Sequence, residues 1–125
     1  MIALDASALL AFLLRERGHE LVARHLSEAC MSTVNLSEVL GRFMRHGHQA
    51  ELIGARLTAT PIEWVPFSER QAEIAASLVP MTQAAGLSLG DRACLALASE
   101  RSIKAVTADN AWTRLDLGIA IEMVR

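Results

Sequence analysis

Asp5, Glu38, Asp91 and Asp109 are the residues of this chain whose type and spacing could do chemistry. Carboxylates gathered without a cationic partner repel: two unit charges about 4 Å apart cost roughly 4 kcal/mol at an effective dielectric of 20. A divalent cation reverses that cost, and hard oxygen ligands with positions left for water favour Mg²⁺ or Mn²⁺ over zinc. The chemistry such a cluster supports is attack of an activated water on a phosphodiester. Each acid also has an ordinary structural explanation. Asp5 and Asp109 suit helix N-caps. Asn35-Leu36-Ser37-Glu38 and Ser88-Leu89-Gly90-Asp91 both resemble capping boxes, with the acid three residues after the cap.

The elements that must position these acids alternate. Short apolar runs predict strands over 1–4, 30–32, 62–66, 103–107 and 119–124. Helical periodicity, Gly47 and Gly86 as stops and Ser88 as a start predict helices over 6–14, 19–28, 36–46, 49–58, 69–85, 88–101 and 110–115, the sixty-nine to eighty-five stretch kinked at Pro80. Strand alternating with helix argues for an α/β fold with a parallel, doubly wound sheet, and the 125 residues fit one domain spanning 1–125. In open sheets of this kind ligands bind outside the carboxyl ends of the strands, where the strand order reverses. All four acids are expected within six residues after a strand, on that rim, with Glu38 and Asp91 in the first turns of their helices.

Hydroxyl and amide groups beside the acids could orient a carboxylate or a bound water: Ser7, Thr107 and Asn110. Helix capping explains Ser7 and Asn110 about as well. Arg92 stands next to Asp91, and Arg15, Arg17, Arg42, Arg45, His46 and His48 fall at helix ends, where they could hold RNA phosphates or simply favour the negative ends of their helices. None of the four histidines falls at a strand end, which argues against a histidine general acid or a zinc site. A formal charge of −2 argues against binding nucleic acid by bulk electrostatics, so contact must be local or bridged by metal. Trp64 and Trp112 read as core or interface residues, and Cys30 and Cys94, with no CxxC spacing, as buried apolar positions. The residues 1–5 do not resemble a signal peptide, and no apolar run nears the roughly 20 residues of a membrane span. The expected location is cytoplasmic. An apolar content of 52% leaves surface for a second subunit or a partner helix.

Four strings along the whole chain resemble the PIN-domain ribonucleases, and more closely the VapC-type toxins of toxin–antitoxin pairs. They are Leu4-Asp5-Ala6-Ser7-Ala8-Leu9-Leu10, Asn35-Leu36-Ser37-Glu38-Val39, Leu87-Ser88-Leu89-Gly90-Asp91-Arg92-Ala93-Cys94 and Thr107-Ala108-Asp109-Asn110-Ala111-Trp112. Singly they are weak; their order and the separations of 33, 53 and 18 between successive acids make the combination specific. The resemblance implies a three-layer α/β/α sandwich with a central parallel sheet of about five strands. It implies a pocket in which Asp5, Glu38, Asp91 and Asp109 hold Mg²⁺ or Mn²⁺, supported by Ser7 and Thr107. It further implies endonucleolytic cleavage of RNA that blocks translation, a cognate antitoxin as partner, and a homodimer. Arg92 is a candidate helper at the phosphate. The alternatives are a PIN nuclease of RNA processing without an antitoxin, and a catalytically silent protein-binding module. A phosphoryl-transfer domain of the haloacid-dehalogenase or response-receiver kind needs a second acid beside the first strand-end acid, where Ala6 and Ser7 stand.

Overall fold

A computed structural model describes residues 1–125. The apolar runs form five strands: β1 (Ile2–Leu4), β2 (Ala29–Ser32), β3 (Glu63–Val65), β4 (Lys104–Thr107) and β5 (Ile121–Met123). All neighbouring pairs are parallel, in the order β3-β2-β1-β4-β5. The central strands β1 and β2 are buried at every residue, as parallel strands covered on both faces must be.

Seven helices complete the fold: α1 (Ala6–Leu13), α2 (His19–His25), α3 (Thr33–Arg45), α4 (Ala50–Thr58), α5 (Glu69–Ser77), α6 (Val79–Thr82) and α7 (Leu89–Arg101). Alternation along the strands sorts the core into two layers. Leu4, Met31 and Val106 face Leu9, Val22, Val39, Ile53 and Leu57 of α1 to α4. Ala3, Cys30 and Ala105 face the other way, against Leu95, Leu97 and Ala98 of α7, along which α5 packs. Cys30 and Cys94 are both free and buried in this second layer, and Trp112 is buried there too. The result is the α/β sandwich that the alternation predicts.

Boundaries differ from those the sequence predicts, in two cases for a plain local reason. Ser32 caps α3 by accepting from Val34 N at 3.2 Å, so the helix starts at Thr33 rather than near residue 36. The stretch 69–85 is two helices, because Pro80 has no N–H to continue α5 and instead fits the first turn of α6. The segment 19–28 ends in a 3₁₀ turn, Leu26–Glu28, and 110–115 is a 3₁₀ helix, Asn110–Arg114. No helix is long and apolar enough to cross a membrane.

The chain lays down β1, β2 and β3 in one direction and then returns to place β4 and β5 on the other side of β1. The order therefore reverses between β1 and β4, and the crevice outside their carboxyl ends is where this topology places a ligand.

Candidate active site

Asp5 is the first residue beyond β1, and its N–H still bonds Val106 O at 2.9 Å, which carries the sheet ladder into the crevice. Its backbone is extended, as at an N-cap, but its carboxylate caps nothing. Instead Oδ2 accepts from Ser7 Oγ at 2.6 Å and from Thr107 Oγ1 at 3.0 Å. Those hydroxyls are themselves fixed: Ser7 Oγ accepts from Ala108 N and Thr107 Oγ1 from Asp109 N, both at 3.0 Å. The capping explanation for Asp5 and Ser7 therefore gives way to a bonded collar. Asp5 is only 2% exposed. Burial pushes its carboxyl up to about 7, the Asp91 and Glu38 charges push the same way, and the Ser7 and Thr107 bonds pull against them.

Glu38 lies in the second turn of α3, and Asn35 is not its cap. Asn35, fully buried, donates Nδ2 to Glu38 Oε1 and to Gly90 O, each at 2.9 Å. Because both neighbours are acceptors, the amide nitrogen must face them. Gly90 is required by the same contact: a Cβ there would stand 2.3 Å from the Glu38 carboxyl carbon. Partial burial raises the Glu38 carboxyl above its ordinary value, the Asn35 bond lowers it, and the Asp91 charge raises it further. Neither Asn35 nor Gly90 stood out in the sequence as a site residue. The available signal was a glycine inside a helical pattern, which asks for a close approach.

Asp91 forms the capping box that its spacing predicts, Ser88 N donating to Oδ2 at 2.8 Å and Asp91 N to Ser88 Oγ at 3.2 Å. It does not follow a strand, since α5 and α6 lie between β3 and α7. It reaches the rim because the N-terminus of α7, which leads into β4, sits at the strands' carboxyl ends. Asp109 caps the 3₁₀ helix, its Oδ1 accepting from Ala111 N at 2.9 Å.

Asp5, Glu38, Asp91 and Asp109 line one cleft of about 240 Å³, together with Ser7, Arg42 and Arg45. A larger hollow elsewhere, about 580 Å³, is lined by Arg70, Glu73 and Glu100 among others and by none of the four acids. Arg92 and Asn110 are not in the acidic cleft. Arg92 Nη1 donates to Leu87 O at 2.8 Å, and exposed Asn110 lines a separate surface hollow beside Ala84 and Arg114. As the side chains stand, no three acids close on a single ligand point. The donor set nevertheless fits a hard divalent cation: it is all oxygen, and the two hydroxyl bonds fall on Asp5 Oδ2, leaving Oδ1 for another partner.

The PIN domain sequence model matches residues 2–117. Among curated proteins no sequence matches. In fold the chain is similar to a chain of the toxin–antitoxin complex from Klebsiella pneumoniae, with a TM-score of 0.74 and 17% identity over 100% of this chain and 98% of that one. It is similar to DNA-bound VapBC from Salmonella typhimurium, with a TM-score of 0.72 and 16% identity over 99% and 98% of the two chains. It is also similar to VapC20 of Mycobacterium tuberculosis, described as a sarcin-ricin loop cleaving toxin, with a TM-score of 0.72 and 18% identity over 90% and 93%.

Proposed function

Because this chain belongs to the PIN domain family, we propose that it is a divalent-metal-dependent endoribonuclease acting in the cytoplasm as the toxin of a toxin–antitoxin pair. The observation that carries the reading is the acidic cleft at the strand-order reversal, where a buried Asp5 is pushed up to about 7 beside Glu38 and Asp91. Structural neighbours that are toxin–antitoxin complexes support the toxin assignment over a free RNA-processing nuclease.

Asp5, Glu38 and Asp91 would hold Mg²⁺ or Mn²⁺, with Asp109 beside them. When bound, the ion supplies charge neutralisation at the phosphate and acidifies the attacking water. The chain's own groups do the rest. Ser7 and Thr107 fix the Asp5 carboxylate, so it does not reorganise when the phosphate arrives. Hydrolysis forms a bond from water oxygen to phosphorus and breaks one to the leaving oxygen, and the water's proton ends on that leaving oxygen. Glu38 Oε2 is the atom free to face the ion, since Oε1 is tied to Asn35.

The same reading includes a homodimer and a cognate antitoxin. Exposed apolar side chains support such contacts: Leu14 after α1, Met44 on α3 and Leu52 on α4, the last 62% exposed. Blocking translation follows if the RNA cut belongs to the translation machinery.

Purified protein incubated with total cellular RNA tests the activity, with and without Mg²⁺ or Mn²⁺, beside Asp91→Asn. Discrete fragments that need metal and vanish in the variant are expected. Full cleavage by Asp91→Asn overturns the assignment of the site, and no cleavage by the wild type under any metal overturns the nuclease reading.

A further inference from the structure

Arg42 and Arg45 follow Glu38 by four and seven residues on α3, so all three share one face of the helix, and all three line the acidic cleft. Two cations in a cleft with four carboxylates would ordinarily pair with them. Neither does: the chain's ion pairs involve Arg70, Arg101, Arg125, Lys104 and histidines, but not Arg42 or Arg45.

Both arginines fall in the last turn of α3, where a favourable interaction with the helix C-terminus would be the ordinary explanation. The side-chain geometry points the other way. Helical side chains lean toward the N-terminus. Arg45 follows that rule, with its Nη1 3.9 Å from where a Cβ of Gly41 would be, one turn back and away from the terminal carbonyls. Gly41 leaves the helix surface bare there, and the side chain that lies over it also lines the cleft. Both side chains line the cleft, and neither is spent on an ion pair within the protein.

We propose that Arg42 and Arg45 form a phosphate-binding strip beside the carboxylates, which grips the backbone of single-stranded RNA at a phosphate flanking the one that is cut. This rests on the nuclease reading above. The complementarity is specific, because a guanidinium fork matches phosphate oxygens in pairs and reads no base. It also resolves how a chain of net charge −2 can hold a polyanion next to four acids: the positive charge is local, on one helix face.

The test is binding of a fluorescent single-stranded RNA by anisotropy, across a salt series at constant Mg²⁺. The Asp91→Asn protein serves as the non-cutting parent, against the same protein carrying Arg42→Gln and Arg45→Gln. Each phosphate contact to a single strand contributes about 0.7 to the slope of log K against log salt, so losing two lowers the slope by about 1.4. Affinity at low salt is expected to fall about ten-fold or more. The Arg42→Lys, Arg45→Lys pair, which keeps charge without the fork, should retain the slope and lose part of the affinity. In the cleaving enzyme the Gln pair should raise KM by more than it lowers kcat. Thermal unfolding of each variant checks that the fold survives. An unchanged slope and affinity in a folded Gln pair overturns the inference while leaving the nuclease reading intact, provided wild type cuts RNA. So does a Gln pair that binds RNA normally but loses a protein partner. Wild type that cuts no RNA fails the nuclease reading first and separately.

Discussion

Replacing Gly90 with Ala should separate activity from stability. The new Cβ would meet the Glu38 carboxyl carbon and both its oxygens at 2.3 Å, whereas ordinary contact begins near 3.4 Å, so the carboxylate must retreat by more than 1 Å. It is the free end of a flexible side chain, so it can move without dragging α3 or α7. The stability changes oppose each other. An Ala in the helix gains up to about 1 kcal/mol over Gly. Losing the bond from Asn35 Nδ2 to Glu38 Oε1 costs on the order of 1 kcal/mol, because the carboxylate is partly solvated. The net should lie within about 1 kcal/mol of zero, or a few degrees in Tm. Activity has no such compensation, because a misplacement of about 1 Å at a reacting centre costs on the order of 100-fold. Thermal unfolding and the initial rate of RNA cleavage, measured on the same preparation, decide it. Glu38→Ala and the Glu38→Ala, Gly90→Ala pair complete a cycle: once the carboxylate is gone, Ala at 90 should stabilise by a few tenths of a kcal/mol and cost no further activity. Cleavage by Gly90→Ala at the wild-type rate would refute the role given to Glu38. A stability loss of several kcal/mol would refute the claim that only the carboxylate stands in the way.

Asp5→Asn should abolish cleavage and yet raise stability above neutral pH. The native state lifts this carboxyl from 3.8 to about 7, so between those values it binds more protons than the unfolded chain and stability falls as pH rises through the window. Burial of the ionised form then costs on the order of 4 kcal/mol above pH 7 as a ceiling, and the variant's advantage in chemical denaturation should shrink to nothing below about pH 4; an advantage that does not vary with pH sinks the argument. Mn²⁺ should raise the Tm of the wild type more at pH 8 than at pH 6, since the ion competes with the Asp5 proton, and should leave Asp5→Asn nearly unmoved. Calorimetric scans with and without the ion read this directly, and an equal shift in both proteins would remove Asp5 from the set of ligands. Ser7→Ala removes a bond that favours the charged carboxylate, so its metal-induced shift should be weaker than wild type at pH 7 and approach it at higher pH.

How far the site was legible in the sequence depends on the range of each interaction. Residues whose role follows from the element they end were readable: Asp5 after a four-residue apolar run, Asp109 after the run containing Val106 and Thr107, Asp91 in a Ser-x-x-Asp box. Glu38 reached the cleft although its helix begins at Thr33 and not near 36, because either start keeps it at the rim end of α3. What stayed hidden was pairing across the chain. Asn35 meets Gly90 O 55 positions away, and Thr107 meets Asp5 at a separation of 102. No local rule distinguishes such an asparagine from a helix cap. Arg92 shows the limit of adjacency: it follows Asp91 in sequence, but neighbours in a helix point 100° apart, and its guanidinium bonds Leu87 O outside the acidic cleft.

The acidic cleft is a poor arrangement for a protein that only needs to fold or to bind a partner. A buried carboxylate is tolerated when hydrogen bonds favour its charge, and Asp5 has two, from hydroxyls that are fixed in turn. They are not enough: its carboxyl still stands near 7, because burial and the charges of Asp91 and Glu38 outweigh them. Gly90 adds a second concession, a helix position without a side chain so that Glu38 can lie close against α7. A silent binding module gains nothing from either feature, since Asn at position 5 would keep the hydroxyl bonds without the charge. Both concessions become favourable once positive charge enters the cleft, from a divalent ion against the carboxylates. The arginines on the α3 face then have a distinct task, holding the polyanion that the acids alone would repel.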